Sequence, residues 1–222
     1  WKGVHTRCTF NMIQELIPLT RPRTLAAALG PTILGAAFSY YAFGAAQGTG
    51  LAILHTVLIF LAVVTAQIVA NLWNEYKDFK SGLDAGQKVG NAGSITRGVI
   101  TPELIITIIK VLMFVPIIIG LYLSATITWY YIPVGFLCIP ISFLYSGGPK
   151  PISRTPFGEV SSGIAMGFAI VLITGYAWIR ELSLALLIPA IPSTLLVGSI
   201  MLTNNIRDIR NDESHGRHTL PI

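Results

Sequence analysis

Apolar and polar positions alternate along this chain in long blocks rather than at short period. Runs near twenty residues, almost free of charge, are separated by segments into which nearly all the charge is gathered. Blocks of that length match the ~20 residues a helix needs to cross a bilayer core of about 30 Å. The pattern predicts six membrane helices, at Thr24–Ala46, Leu51–Trp73, Glu103–Tyr122, Trp129–Tyr145, Val160–Ile179 and Leu182–Thr203. Pro189 and Pro192 are expected to interrupt the last of them. Ahead of the first, Phe10, Ile13, Leu16 and Ile17 form one apolar stripe, as on a short helix lying in the membrane interface. Pro18 and Pro22 then turn the chain into the bilayer.

The connections differ in kind. Gln47–Gly50 and Ser124–Thr128 are short and uncharged. Residues 74–102 and 146–159 are long, polar and rich in glycine or proline, as functional loops are. Thr101-Pro102-Glu103 supplies a cap, a first-turn proline and an acid for the third helix. Gly163-x-x-x-Gly167 offers a small-residue face for close helix packing. We read residues 1–222 as one all-α, multi-pass transmembrane bundle, with 1–23 as an interfacial segment.

Composition agrees with the pattern. Of the residues 53% are apolar and 11% charged, against about 25% charged in an average soluble domain. All but Arg180 and Lys110 of the fifteen Lys and Arg fall in four segments: the N-terminus, the 2–3 loop, the 4–5 loop and the stretch after helix 6. By the positive-inside rule that set faces the cytoplasm of a cell membrane. The net charge of +5 is thereby explained by topology, without nucleic acid as a partner. Lys110 either snorkels to the interface or faces an internal polar cavity. Cys8 and Cys138 have the spacing of neither a disulfide framework nor a zinc site. The chain begins at Trp1 rather than Met, and further residues are expected before it.

The chemistry lies at two polar helix ends. Asn74-Glu-Tyr-Lys-Asp78 matches Asn204-Asn-Ile-Arg-Asp208 in spacing, with a basic residue before each Asp. A second acid follows each, Asp84 and Asp212. Residues i and i+4 share a helix face, so each half of the chain presents one acidic cluster on the same membrane side. Two facing carboxylate clusters repel unless a cation intervenes. Magnesium suits this setting, since it takes one or two carboxylates together with water and substrate phosphate. Lys77, Lys80, Arg207 and Arg210 are placed to clamp a polyanion. The pattern points to a metal-assisted diphosphate site at a membrane surface, with a hydrocarbon tail in the bundle. His215 and His218 lie near Asp212 but bring no further soft ligands for zinc. A transporter would carry its ionisable residues near the midplane on broken helices, whereas these acids lie at one face.

Four stretches, RPRTLAAALGPTILG, ANLWNEYKDFKSGLD, YSGGPKPISRTPFGEV and NNIRDIRNDESHGRHTL, resemble the intramembrane aromatic prenyltransferases of the UbiA superfamily. Within it the likeness is greatest to the branch that prenylates 1,4-dihydroxy-2-naphthoate in menaquinone synthesis. The resemblance implies a nine-helix fold of which this chain carries six, so that the chain would be shortened at its C-terminus. It implies magnesium held by Asn74, Asp78, Asp208 and Asp212, with Asp84 and Asn204 or Asn205 supporting. Arg21, Arg23, Lys77, Arg97 and Arg207 become candidates for contact with a polyprenyl diphosphate. Tyr145 and Ser146 would lie near the reacting carbons of prenyl donor and small aromatic acceptor. Glu75 stands where many relatives carry Asp, which keeps the charge and changes its reach.

Overall fold

Lipid offers no hydrogen-bond partner to a peptide group, so long apolar runs close their backbone bonds within a helix. The computed structural model describes residues 16–82, 94–148, 150–214 and 216–222. Among these it has helices and turns and no strand. Two of the four residues of the interfacial stripe, Phe10 and Ile13, lie outside the described residues. Leu16 and Leu19 pack on the core beneath the polar end of the second helix, whereas Ile17 is exposed.

Six apolar helices follow. They are α1 (Ala26–Phe43), α2 (Thr49–Ser81), α3 (Pro102–Thr126) and α4 (Tyr131–Ser146), then α5, continuous over Gly158–Ile179, and α6 (Leu187–Ser214). Five of the six are long and apolar enough to cross a membrane, α4 being the shorter one. α2 packs against α3, α1 against α5, and α6 against α5, while α1–α2 and α2–α5 contacts join these pairs.

The structure corrects two boundaries and one expected break. α2 runs to Ser81 instead of stopping at Trp73, so residues 74–81 of the expected loop are helical. Its 33 residues span about 50 Å, some 20 Å more than a bilayer core. Nothing in Asn74–Ser81 breaks a helix; the chain turns only at Gly82, whose φ of 75° suits glycine and whose N–H caps Asp78 and Phe79. α6 likewise passes Thr203 and runs to Ser214. α6 is also unbroken at its prolines. Pro189 falls in the first turn, where the missing N–H has no helical partner to lose. Pro192 sits inside the helix without ending it.

The Gly163/Gly167 pattern is a packing contact. A Cβ on Gly167 would stand 2.6 Å from Thr194 Cα, and one on Gly163 2.6 Å from the Thr194 carbonyl oxygen. α5 has a widened turn over this stretch, Gly163–Phe168. Lys110 is exposed on α3 and lines an open pocket between α2 and α3 with Tyr76, Glu103 and Thr107.

Candidate functional site

The first motif occupies the last two turns of α2. Asn74 and Asp78 are one helical turn apart, as the spacing predicted. Around them α2 is fixed on three sides. The Asn71 side-chain amide donates to the Thr20 carbonyl at 2.9 Å, and that of Gln67 to Thr24 at 2.8 Å. These bonds hold the N-terminal turn, with Arg21 in left-handed conformation (φ 52°), against the motif helix. The Trp73 indole donates to the Phe143 carbonyl at 3.0 Å, tying α2 to the end of α4. The Lys77 ammonium lies 5.5 Å from the centre of the Trp73 ring. Glu75 is buried and accepts the Ser94 backbone N–H at 3.1 Å. Arg97 donates to the Ser94 hydroxyl at 3.1 Å, which places it on the same anchored segment.

The second motif occupies the last three turns of α6. Arg207 holds Asp208 through two hydrogen bonds, of 2.9 and 2.8 Å, on an exposed part of the helix. Asp212 is buried and forms an ion pair with Arg217 at 3.1 Å. The Asn205 amide donates to Glu159 Oε1 at 2.7 Å. Asn204 is half-buried one position earlier.

The 4–5 loop joins the two motifs. Arg154 reaches Asp78 at 4.0 Å and donates to the Ser81 hydroxyl at 3.3 Å. Its carbonyl accepts the His218 N–H at 3.2 Å, and the Ser153 carbonyl lies 3.5 Å from Arg217 Nη2. This one loop thus touches the end of α2 and the segment after α6, so both motifs lie at the same end of the bundle. Tyr145 and Ser146 close α4 beside this loop. The Ser162 hydroxyl donates to the Tyr145 hydroxyl at 3.1 Å, and Ser146 is buried. Glu159, Arg217 and Arg21 all lie within Coulomb range of Tyr145.

Asp78, Tyr145, Arg21, Arg97, Asn205, Asp208 and Asp212 therefore fall at one end of the bundle, around the 4–5 loop. Asp84 and the Arg23 side chain lie outside the described residues. Among the described residues no three acids or histidines converge as a ready-made metal cage. The donors present are oxygens spread over two helices, and the acids among them, Asp78, Asp208 and Asp212, each lie beside an arginine. That set suits magnesium, which needs few protein ligands and completes its shell with water and phosphate. Arg154, Glu159 and Arg217 were not singled out from the sequence. All three stand in the polar stretches that carry the resemblance, Arg154 and Glu159 in the glycine- and proline-rich 4–5 loop and Arg217 in the segment after α6, and their charge there was the signal available.

The UbiA prenyltransferase family profile matches residues 28–222. The chain belongs to the UbiA prenyltransferase family. It is 38% identical over 216 residues to 1,4-dihydroxy-2-naphthoate octaprenyltransferase of Bacillus subtilis, covering 96% of this chain and 66% of that protein. To the Escherichia coli protein of the same name it is 29% identical, over 98% of this chain and 70% of the relative. To UbiA prenyltransferase domain-containing protein 1 of Gallus gallus it is 30% identical, over 91% of this chain and 59% of the relative. The chain spans about two thirds of the length of such curated relatives. A solved chain from work on digeranylgeranylglyceryl phosphate synthase in membranes has the same fold, with a TM-score of 0.67 at 18% identity, over 95% of this chain and 68% of that one. Membership of this family and the shared fold agree with the apolar helices of a multi-span membrane protein.

Proposed function

We propose that this UbiA-family chain transfers a polyprenyl group from an allylic polyprenyl diphosphate to 1,4-dihydroxy-2-naphthoate, with release of diphosphate and carbon dioxide, giving the quinol form of demethylmenaquinone. The observation that carries this reading is the meeting of two acid-bearing helix ends, α2 and α6, under one arginine-bearing loop. The relatives named as octaprenyltransferases for that acceptor support the choice of substrate. The four basic segments orient the site toward the cytoplasm of the cell membrane.

Magnesium would be held by Asn74 and Asp78 on α2 and by Asp208 and Asp212 on α6, with Asp84 and Asn204 or Asn205 in support. When bound it supplies positive charge against the diphosphate as the allylic C–O bond breaks. The rest falls to the chain's own groups. Arg154, Arg217, Arg207 and Lys77 stand at this end to take phosphate oxygens, as charge-assisted donors do well. Arg21, Arg23 and Arg97 flank them in the same role. The aromatic ring attacks the allylic carbon beside Tyr145 and Ser146, away from bulk water. The apolar bundle, lipid-facing outside, accommodates the tail.

Two results test this. Offering membranes that contain the protein dihydroxynaphthoate, 4-hydroxybenzoate and homogentisate with a labelled prenyl diphosphate should yield product from the first. Product from 4-hydroxybenzoate or homogentisate alone would assign another acceptor. Separately, Arg154→Ala should raise KM for the prenyl diphosphate about tenfold, or ~1.4 kcal/mol, with Arg154→Lys falling between. An unchanged KM would remove Arg154 from the site.

A further inference from the structure

Each half of the bundle end contains a buried carboxylate that accepts a backbone N–H from the segment following a motif helix. In the first half it is Glu75, within the motif, which accepts the N–H of Ser94. In the second half the matching motif position is Asn205, an amide. The carboxylate comes instead from α5: Glu159, 3% exposed, accepts the N–H of Leu220 at 3.3 Å and the Asn205 amide at 2.7 Å, both on Oε1. Its Oε2 is buried and has no hydrogen-bond partner among the described residues.

Three consequences follow. A backbone N–H can only donate, so Oε1 acts as an acceptor there. The side chain of Asn205 must then meet it through its NH2 group, which turns the Asn205 carbonyl oxygen away from Glu159. Residues 205, 208 and 212 stand at i, i+3 and i+7 and share one stripe of α6. The oxygen that Asn205 turns outward therefore belongs to the stripe that carries Asp208 and Asp212. Finally, a latch for Leu220 alone needs a neutral acceptor only, and glutamine would serve. A buried charge with one oxygen left over is costly to keep, and a bound cation nearby would offset it.

We propose that Glu159 is the positioning residue of the α6 motif, holding the Asn205 carbonyl oxygen toward a divalent cation–diphosphate and adding its charge behind it. The proposal rests on the prenyl-diphosphate reading above. It makes Asn205, rather than only its neighbour Asn204, a working member of the motif.

The test uses the whole protein in lipid nanodiscs, with inorganic pyrophosphate as probe, titrated by calorimetry at a series of magnesium concentrations. Groups that orient a metal ligand change metal affinity by about 10–100-fold when replaced. Glu159→Gln should therefore raise the magnesium concentration for half-maximal pyrophosphate binding at least about tenfold, with thermal unfolding close to that of the parent protein. Asn205→Ala should do the same, and the double variant should be no worse than the worse single one, as for two residues acting through one contact. Parent-like magnesium dependence in Glu159→Gln, or additive losses in the double variant, would overturn the proposal. Should Glu159→Gln not fold, Asn205→Ala decides, since it leaves Glu159 and Leu220 in place. Asp208→Asn separates the two levels. If it binds like the parent, or if the parent shows no magnesium-dependent binding, the underlying reading fails and this proposal with it. If Asp208→Asn loses binding and Glu159→Gln does not, only the proposal fails.

Discussion

Asp78→Ala and Asp208→Ala are each expected to reduce prenyl transfer by on the order of 10²–10³-fold, the range seen when one preorganised stabiliser of developing charge is removed. The two acids sit in different surroundings. Asp78 lies at the end of α2 under Arg154, and Asp208 on the exposed side of α6 in the grip of Arg207. Neither is in the apolar core, so loss of activity should come without loss of the folded bundle. Asn at either position keeps shape and one oxygen donor and removes the charge, and it should recover little. The measurement is initial rate against magnesium at saturating prenyl diphosphate, alongside thermal unfolding. Full activity in both alanine variants would sink the site assignment.

The second large effect is structural. Gly167→Ala should destabilise the α5–α6 contact by about 3 kcal/mol or more, the upper end of overpacking costs. The reason is geometric. The new Cβ would lie 2.6 Å from Thr194 Cα and 2.7 Å from the Ser193 carbonyl oxygen, both backbone atoms that no rotamer change can move aside. Only separation of the helices relieves the clash, and α6 carries the second motif. Activity should fall with stability. Gly30→Ala is the matched control. Nothing lies within 4 Å of a Cβ there, and alanine is the better helix former. Thermal unfolding of the two variants should diverge clearly; equal unfolding temperatures would contradict the packing account.

Hydropathy located all six helices because apolar length is what a bilayer selects, and it placed both motifs at helix ends. It misplaced the ends of α2 and α6 for a physical reason. Polarity at Asn74 and Asn204 marks where a helix leaves the membrane, whereas the helix itself stops where the backbone requires it, at Gly82 in the case of α2. The Asn74/Asp78 and Asn204/Asp208 pairs were legible because a period of four residues survives inside one helix. Arg154, Glu159 and Arg217 were not, since their importance depends on tertiary contacts: a loop between α4 and α5 brought to the ends of α2 and α6. No periodicity within residues 150–159 encodes that meeting. Glu75 was legible as a departure from its relatives, but its burial and its hold on Ser94 were not.

The most direct test of the central claim follows the carbon that should leave. Dihydroxynaphthoate labelled in its carboxyl group is incubated with an allylic polyprenyl diphosphate, magnesium and membranes containing the protein. Labelled carbon dioxide and prenylated product are then counted together. The account predicts equal amounts of the two, both abolished by chelating magnesium. Prenylated product that retains the carboxyl label, or product formation indifferent to the chelator, would contradict it.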